Sequence, residues 1–201
     1  MMEIDRRALF MGAAALLIAR PVAAQGAPSA MKLLAAARKQ IGVTLSYDPA
    51  YSRLPFPGGD VPRNKGVCTD VVIRAYRDAF DVDLQALVNA DMKRSFSAYP
   101  KRWGLRTTDR NIDHRRVPNL EAFFTRAGSR RQIPRSADTW QAGDLFTCLV
   151  NRSLPHIGIV SDKRAASGRP LVIHNIGGGT REEDILTDYP MTGRFRWLIG
   201  G

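Results

Sequence analysis

Cysteine and histidine are scarce in this chain, with two of the first and three of the second among 201 residues. Two cysteines permit at most one disulfide, which excludes the densely cross-linked secreted scaffolds. None of these five residues forms the close-spaced pair that zinc ligation needs, so no metal and no cofactor is expected. Acid is also in deficit, with 19 Asp and Glu against 30 Lys and Arg and a formal net charge of +11. That balance favours anionic partners and disfavours acidic ones, and says nothing about fold. Long apolar runs are missing too. Met11 to Ala19 is apolar but is cut short by Arg20 and Pro21, before the roughly 20 residues that span a bilayer. A phosphate loop is excluded because Gly177-Gly178-Gly179 lacks the Gly-Lys-Ser/Thr ending and reads as a turn.

What is present at the start is an export signal. Arg6-Arg7 precedes Ala8-Leu9-Phe10, an apolar stretch follows, and Val22-Ala23-Ala24 supplies small residues at a cleavage site. The paired arginines resemble the twin-arginine address. Residues 1–25 are therefore expected to be a signal peptide, and residues 26–201 a single mature domain of the periplasm or exterior, with no membrane span. Basic residues interleaved with aromatics run from Lys101 to Arg135, including Trp103, Phe123 and Phe124. Such a pattern can bind nucleic acid, but export points instead to anionic envelope surfaces. A merely solvated basic face explains it equally well.

Helical spacing predicts helices over Met31–Ile41, Thr69–Phe80, Leu84–Met92 and Leu120–Ala127, with Asp83 and Asn119 as caps for the last two. On the second, Arg74, Arg77 and Asp78 are expected on the polar side. Ser46 to Gly66 is rich in proline and glycine and reads as a long loop, a feature usually functional in a compact domain. After Gly143 four short runs, Asp144–Val150, His156–Ser161, Leu171–Ile176 and Phe195–Ile199, read as strands. Helices first and a strand meander second predict an α+β fold, its antiparallel sheet covered on one face by helices.

Cys68 stands where the loop enters a helix, near unpaired N–H groups and the positive end of the dipole, a setting that favours thiolate. His156 and His174 lie in strand-like runs, and alternation puts His156, Gly158 and Val160 on one face. Gly158 is expected to admit the close approach of a helix. A pairing of Val160 with Pro170 would set His156 opposite His174; a slip of one residue would present Asn175 instead. The competing readings are a pair of satisfied core histidines and a Cys68–Cys148 disulfide.

Gly143-Asp144-Leu145-Phe146, His156-Ile157-Gly158-Ile159-Val160 and Val172-Ile173-His174, downstream of Cys68, resemble the NlpC-type papain-like cell-wall peptidases. That resemblance implies Cys68 as nucleophile, His156 as base and His174 as the orienting residue. Tyr47-Asp48-Pro49, Pro57 to Pro62, Gly66 to Asp70, Asn111 to Asn119 and Pro155 to Gly158 are similar, over nearly all of the mature chain, to a bacterial domain of unknown function, DUF1287. Val67-Cys68-Thr69 departs from the Asp-Cys-Ser usual in the NlpC group, so that group's substrate contacts do not carry over.

The expected function is acyl transfer to water, cutting an amide bond in peptidoglycan or its peptide fragments. The Cys68 N–H would be the first oxyanion donor, with Tyr47 a candidate second. Asp70 and Asn175 are further candidates for contacting substrate, and His114, beside Asp113 and Arg115-Arg116, is a candidate either for contacting an anionic substrate group such as a peptide carboxylate or for a surface or loop-anchoring role. The alternatives are a non-catalytic wall-binding module of the same fold and a structural disulfide protein.

Overall fold

The computed structural model describes residues 28–199. The expected signal peptide lies outside the described residues. In chain order the elements are α1 (Pro28–Arg38), β1 (Ser46–Tyr47), β2 (Lys65–Gly66), α2 (Cys68–Phe80), α3 (Leu84–Arg94), α4 (Val117–Arg126), β3 (Arg130–Arg131), β4 (Leu145–Val150), β5 (Leu154–Arg164), β6 (Pro170–Asn175), β7 (Thr180–Glu183) and β8 (Met191–Phe195). The fold is α+β: β3-β8-β4-β5-β6-β7 form one sheet of antiparallel pairs, and β1 and β2 form a small parallel pair.

The sheet carries a core on each face because its strands alternate between two apolar sets. Leu145, Ile157, Ile159, Ile173 and Phe195 pack under the helices with Leu33, Leu34, Tyr76, Leu120 and Phe124. Phe146, Cys148, Val160 and Val172 pack on the other face with Trp140 and Leu186. Both layers are thus shielded, although only the helical cover was legible beforehand.

Asp83 caps α3 as expected, its carboxylate accepting the Gln85 N–H at 3.0 Å. Asn119 does not cap α4, which starts earlier with Pro118 in its first turn. Asn119 is instead buried, donating Nδ2 to the Asp113 carbonyl at 3.1 Å.

The polar side expected of α2 is not all solvated. Arg74 is fully buried because the loop from Ser46 to Gly66 folds over the helix and supplies acceptors: Asp60 at 2.9 Å, and the carbonyls of Val61 at 3.1 Å and Lys65 at 3.0 Å. A cation can be buried only when it is paired and hydrogen-bonded, and this one pins the loop to α2. Strand β8 ends at Phe195, where the sequence suggested a strand beginning there.

Candidate active site

The start of α2 is organised by Asp70. Its carboxylate accepts the Val67 N–H at 2.7 Å, satisfying one unpaired donor of the helix start. It also accepts two hydrogen bonds from Arg115, both at 2.9 Å. Arg115 donates further to the carbonyls of Ala50 and Asp48, each at 3.3 Å. Asp70 is therefore consumed in a buried ion pair. As an anion it cannot donate to an oxyanion, which corrects its place among the substrate contacts.

Cys68, the first residue of α2, is buried and lies in the floor of an open cleft of about 200 Å³ walled by Tyr47, Trp103, Arg115, Arg116 and Pro155. Both cysteines are free thiols, so no Cys68–Cys148 disulfide is formed. The N–H groups of Ile157 and Thr69 and the Tyr47 hydroxyl lie against the sulfur and favour its anion, but burial outweighs them and pushes the thiol up to about 11. The helix terminus alone does not yield the thiolate expected from sequence, because desolvation of a charged sulfur is the larger effect here.

His156 leaves β5 on the face away from the helices. It sits opposite Cys148 and beside Phe146, with ring centroids 6.3 Å apart. Val160 pairs with Val172 and Ile159 with Ile173, not Val160 with Pro170. That register sets Gly158, rather than His156, across from His174. The two imidazoles meet diagonally, His156 Nε2 to His174 Nδ1 at 3.0 Å. Gly158 makes room for this contact. A Cβ there would stand 2.6 Å from Val172 Cγ1, 2.7 Å from Phe146 Cε1 and 3.2 Å from His174 Cβ. The glycine thus serves neighbouring side chains on the far face, not the approach of a helix.

The chain of contacts continues from His174 Nε2 to Glu183 Oε2 at 3.1 Å. Burial lowers the basicity of His174 and pushes His156 down to about 3, so both rings are neutral at physiological pH. Proton placement then follows from donor and acceptor roles. Glu183 accepts, so the His174 proton is on Nε2. His174 Nδ1 accepts in turn, so the His156 proton is on Nε2. The lone pair left on His156 is on Nδ1, the nitrogen free to take a proton.

Cys68 lies against the backbone N–H of Ile157, the residue that follows His156, and among the described residues no hydrogen bond joins Cys68 to His156. The structure thus brings together His156 with His174, and Cys68 with Tyr47. Asn175 does not orient His156. Its Nδ2 donates to the carbonyls of Gly66 at 3.1 Å and Ser46 at 3.3 Å, tying both strands of the β1–β2 pair to the sheet beside Cys68. His114 is buried in the turn Asp113–Arg115, and burial pushes it down to about 4. It does not line the Cys68 cleft.

A family model described as a domain of unknown function (DUF1287) matches residues 34–197. The chain belongs to the DUF1287 family. The uncharacterized protein YijF of Escherichia coli (strain K12) is 53% identical over 163 residues, covering 81% of this chain and 79% of its own length. In this DUF1287 chain the groups that sequence reasoning missed are Glu183, Arg115 and Arg116. Glu183 sits in a four-residue charged strand with no apolar alternation to reveal it. The arginines looked like any other part of a basic stretch.

Proposed function

We propose that the mature protein is an exported cysteine amidase or peptidase of papain-like, NlpC-type architecture, acting on an amide bond of peptidoglycan or its peptide fragments. The observation that carries this reading is the Glu183–His174–His156 relay ending in a free Nδ1, one residue along β5 from the backbone N–H that lies against Cys68. A purely structural pair of core histidines has no need of a cleft with a thiol in its floor.

In this mechanism the Cys68 proton passes to His156 Nδ1 as the sulfur attacks the carbonyl carbon. The imidazolium returns the proton to the amine nitrogen as the C–N bond breaks, leaving a thioester. Water then attacks the thioester, its proton going to His156 and back to sulfur. Burial favours neutral thiol and neutral imidazole at rest, so proton transfer must accompany the attack. The Cys68 N–H at the start of α2, with the Tyr47 hydroxyl, supplies donors for the oxyanion.

Mass analysis of muropeptides incubated with the whole mature protein and its Cys68→Ala variant tests the reading. Turnover by the native protein and its loss in the variant, with unfolding little changed, is the expected result; turnover retained in the variant refutes it. The protonated thiol and the lack of a direct Cys68–His156 hydrogen bond favour a second reading, a wall-binding module without catalysis. That reading predicts retention on isolated wall with no release of fragments, and no preferential alkylation of Cys68 over Cys148.

A further inference from the structure

Two adjacent arginines, Arg115 and Arg116, stand in the wall of the Cys68 cleft, and they are chemically unlike. Arg115 is enclosed and its guanidinium is fully committed to Asp70 and to backbone carbonyls. Arg116 commits a single nitrogen, Nη1, to Asp113 Oδ1 at 3.1 Å. Its other N–H groups have no acceptor among the described residues. The guanidinium is stacked on the ring of Trp103 at 4.2 Å, and Arg102 approaches the same ring at 5.9 Å. Stacking on an indole fixes the plane of a guanidinium without using its donors.

Two cations, Arg102 and Arg116, share the Trp103 ring, and Arg116 is paired with one acid, Asp113. The other oxygen of that carboxylate already accepts the Asp109 N–H at 2.6 Å. Asn119 lines an adjoining recess of about 10 Å³, room for no more than a water, together with Arg116 and Tyr99, and among the described residues its buried Oδ1 has no partner. The cleft therefore offers a pre-aimed fork of donors.

We propose that Arg116, held by Trp103 and Asp113, is the specificity-determining residue of the cleft and binds a free carboxylate on the acyl substrate. The substrate class is thereby narrowed to peptides carrying an ionised carboxyl close to the bond attacked. This inference rests on the proposed cysteine chemistry for its purpose, but its binding test does not need turnover.

The test uses the Cys68→Ala protein and two probes, N-acetyl-L-alanyl-D-glutamine, whose α-carboxyl is free and whose γ-carboxyl is an amide, and its α-carboxamide, which carries no carboxylate, titrated by calorimetry and by tryptophan fluorescence with Trp103→Phe as the optical control. The acid is expected to bind at least tenfold more tightly than the amide. Arg116→Gln should abolish the difference, and Arg116→Lys should restore part of it. In the protein with Cys68 intact, Arg116→Gln should raise KM by more than it lowers kcat. Equal affinity for acid and amide overturns the proposal, as does a preference that survives Arg116→Gln or a failure to bind either probe. A clear acid preference without any cleavage by the native protein leaves this inference standing and removes the amidase reading.

Discussion

Glu183 fixes the tautomer of His156 from two rings away, and the consequence is measurable at a single position. A hydrogen bond to a charged group contributes about 1.5–3 kcal/mol, and losing it frees His174 to present either nitrogen. Glu183→Ala should lower kcat about tenfold or more and change the pH profile, with Cys68 intact; an unaltered profile removes Glu183 from the relay. Gly158→Ala is a sharper probe of the same contact. The added methyl would press on Val172, Phe146 and His174, and overpacking of this kind costs about 1–3 kcal/mol. Chemical denaturation should show that loss together with loss of activity, and an unaffected midpoint would mean that the neighbours yield freely.

At the scale of elements, the start of α2 depends on the Asp70–Arg115 pair more than on the helix dipole. Removing one partner of a buried pair strands the other, at about 3–5 kcal/mol. Asp70→Ala should show that loss in urea unfolding, whereas an exposed pair such as Arg94–Asp91 should contribute less than about 1 kcal/mol. How much of this was legible depends on range. The four helices and the strands from Leu145 to Asn175 follow from local periodicity, and Asp83 follows from cap chemistry. The choice of His174 over Asn175 does not follow from alternation, because the run Leu171–Ile176 is apolar on both faces and a slip of one residue exchanges the two. Packing around Gly158 sets the register. Arg74 and Asp70 misled for a related reason: their partners, Asp60 and Arg115, arrive from loops whose path no periodicity encodes. Cys68 was identifiable by its place at a helix start, but its protonation depends on how deeply the cleft floor is covered.

For the molecule as a whole, three buried neutral histidines set the response to acid. His156 and His114 are held at about 3 and about 4, and His174 is also lowered, each by burial. Their unfolded value is about 6.5. Below it the unfolded chain binds protons that the folded chain does not, so stability is full above about 6.5 and is lost as pH falls through the folded values. His156 and His114 each contribute a slope of up to about 1.4 kcal/mol per pH unit, and His174 adds to it in the same direction. Urea midpoints measured between pH 7.5 and 4.5 should fall steeply; a flat series would show that these rings are solvated. No helix among the described residues is long and apolar enough to cross a membrane.

The margins of the six-stranded sheet are both short and charged, Arg130-Arg131 on one side and Thr180-Arg181-Glu182-Glu183 on the other. A foreign strand seeking backbone partners there would meet its own kind of obstacle at either end: too few residues to register against, and side chains that repel or demand water. Concentrated solutions of the folded protein should accordingly resist fibre growth, and stacking into ordered aggregates would have to begin from chains that have already lost this sheet.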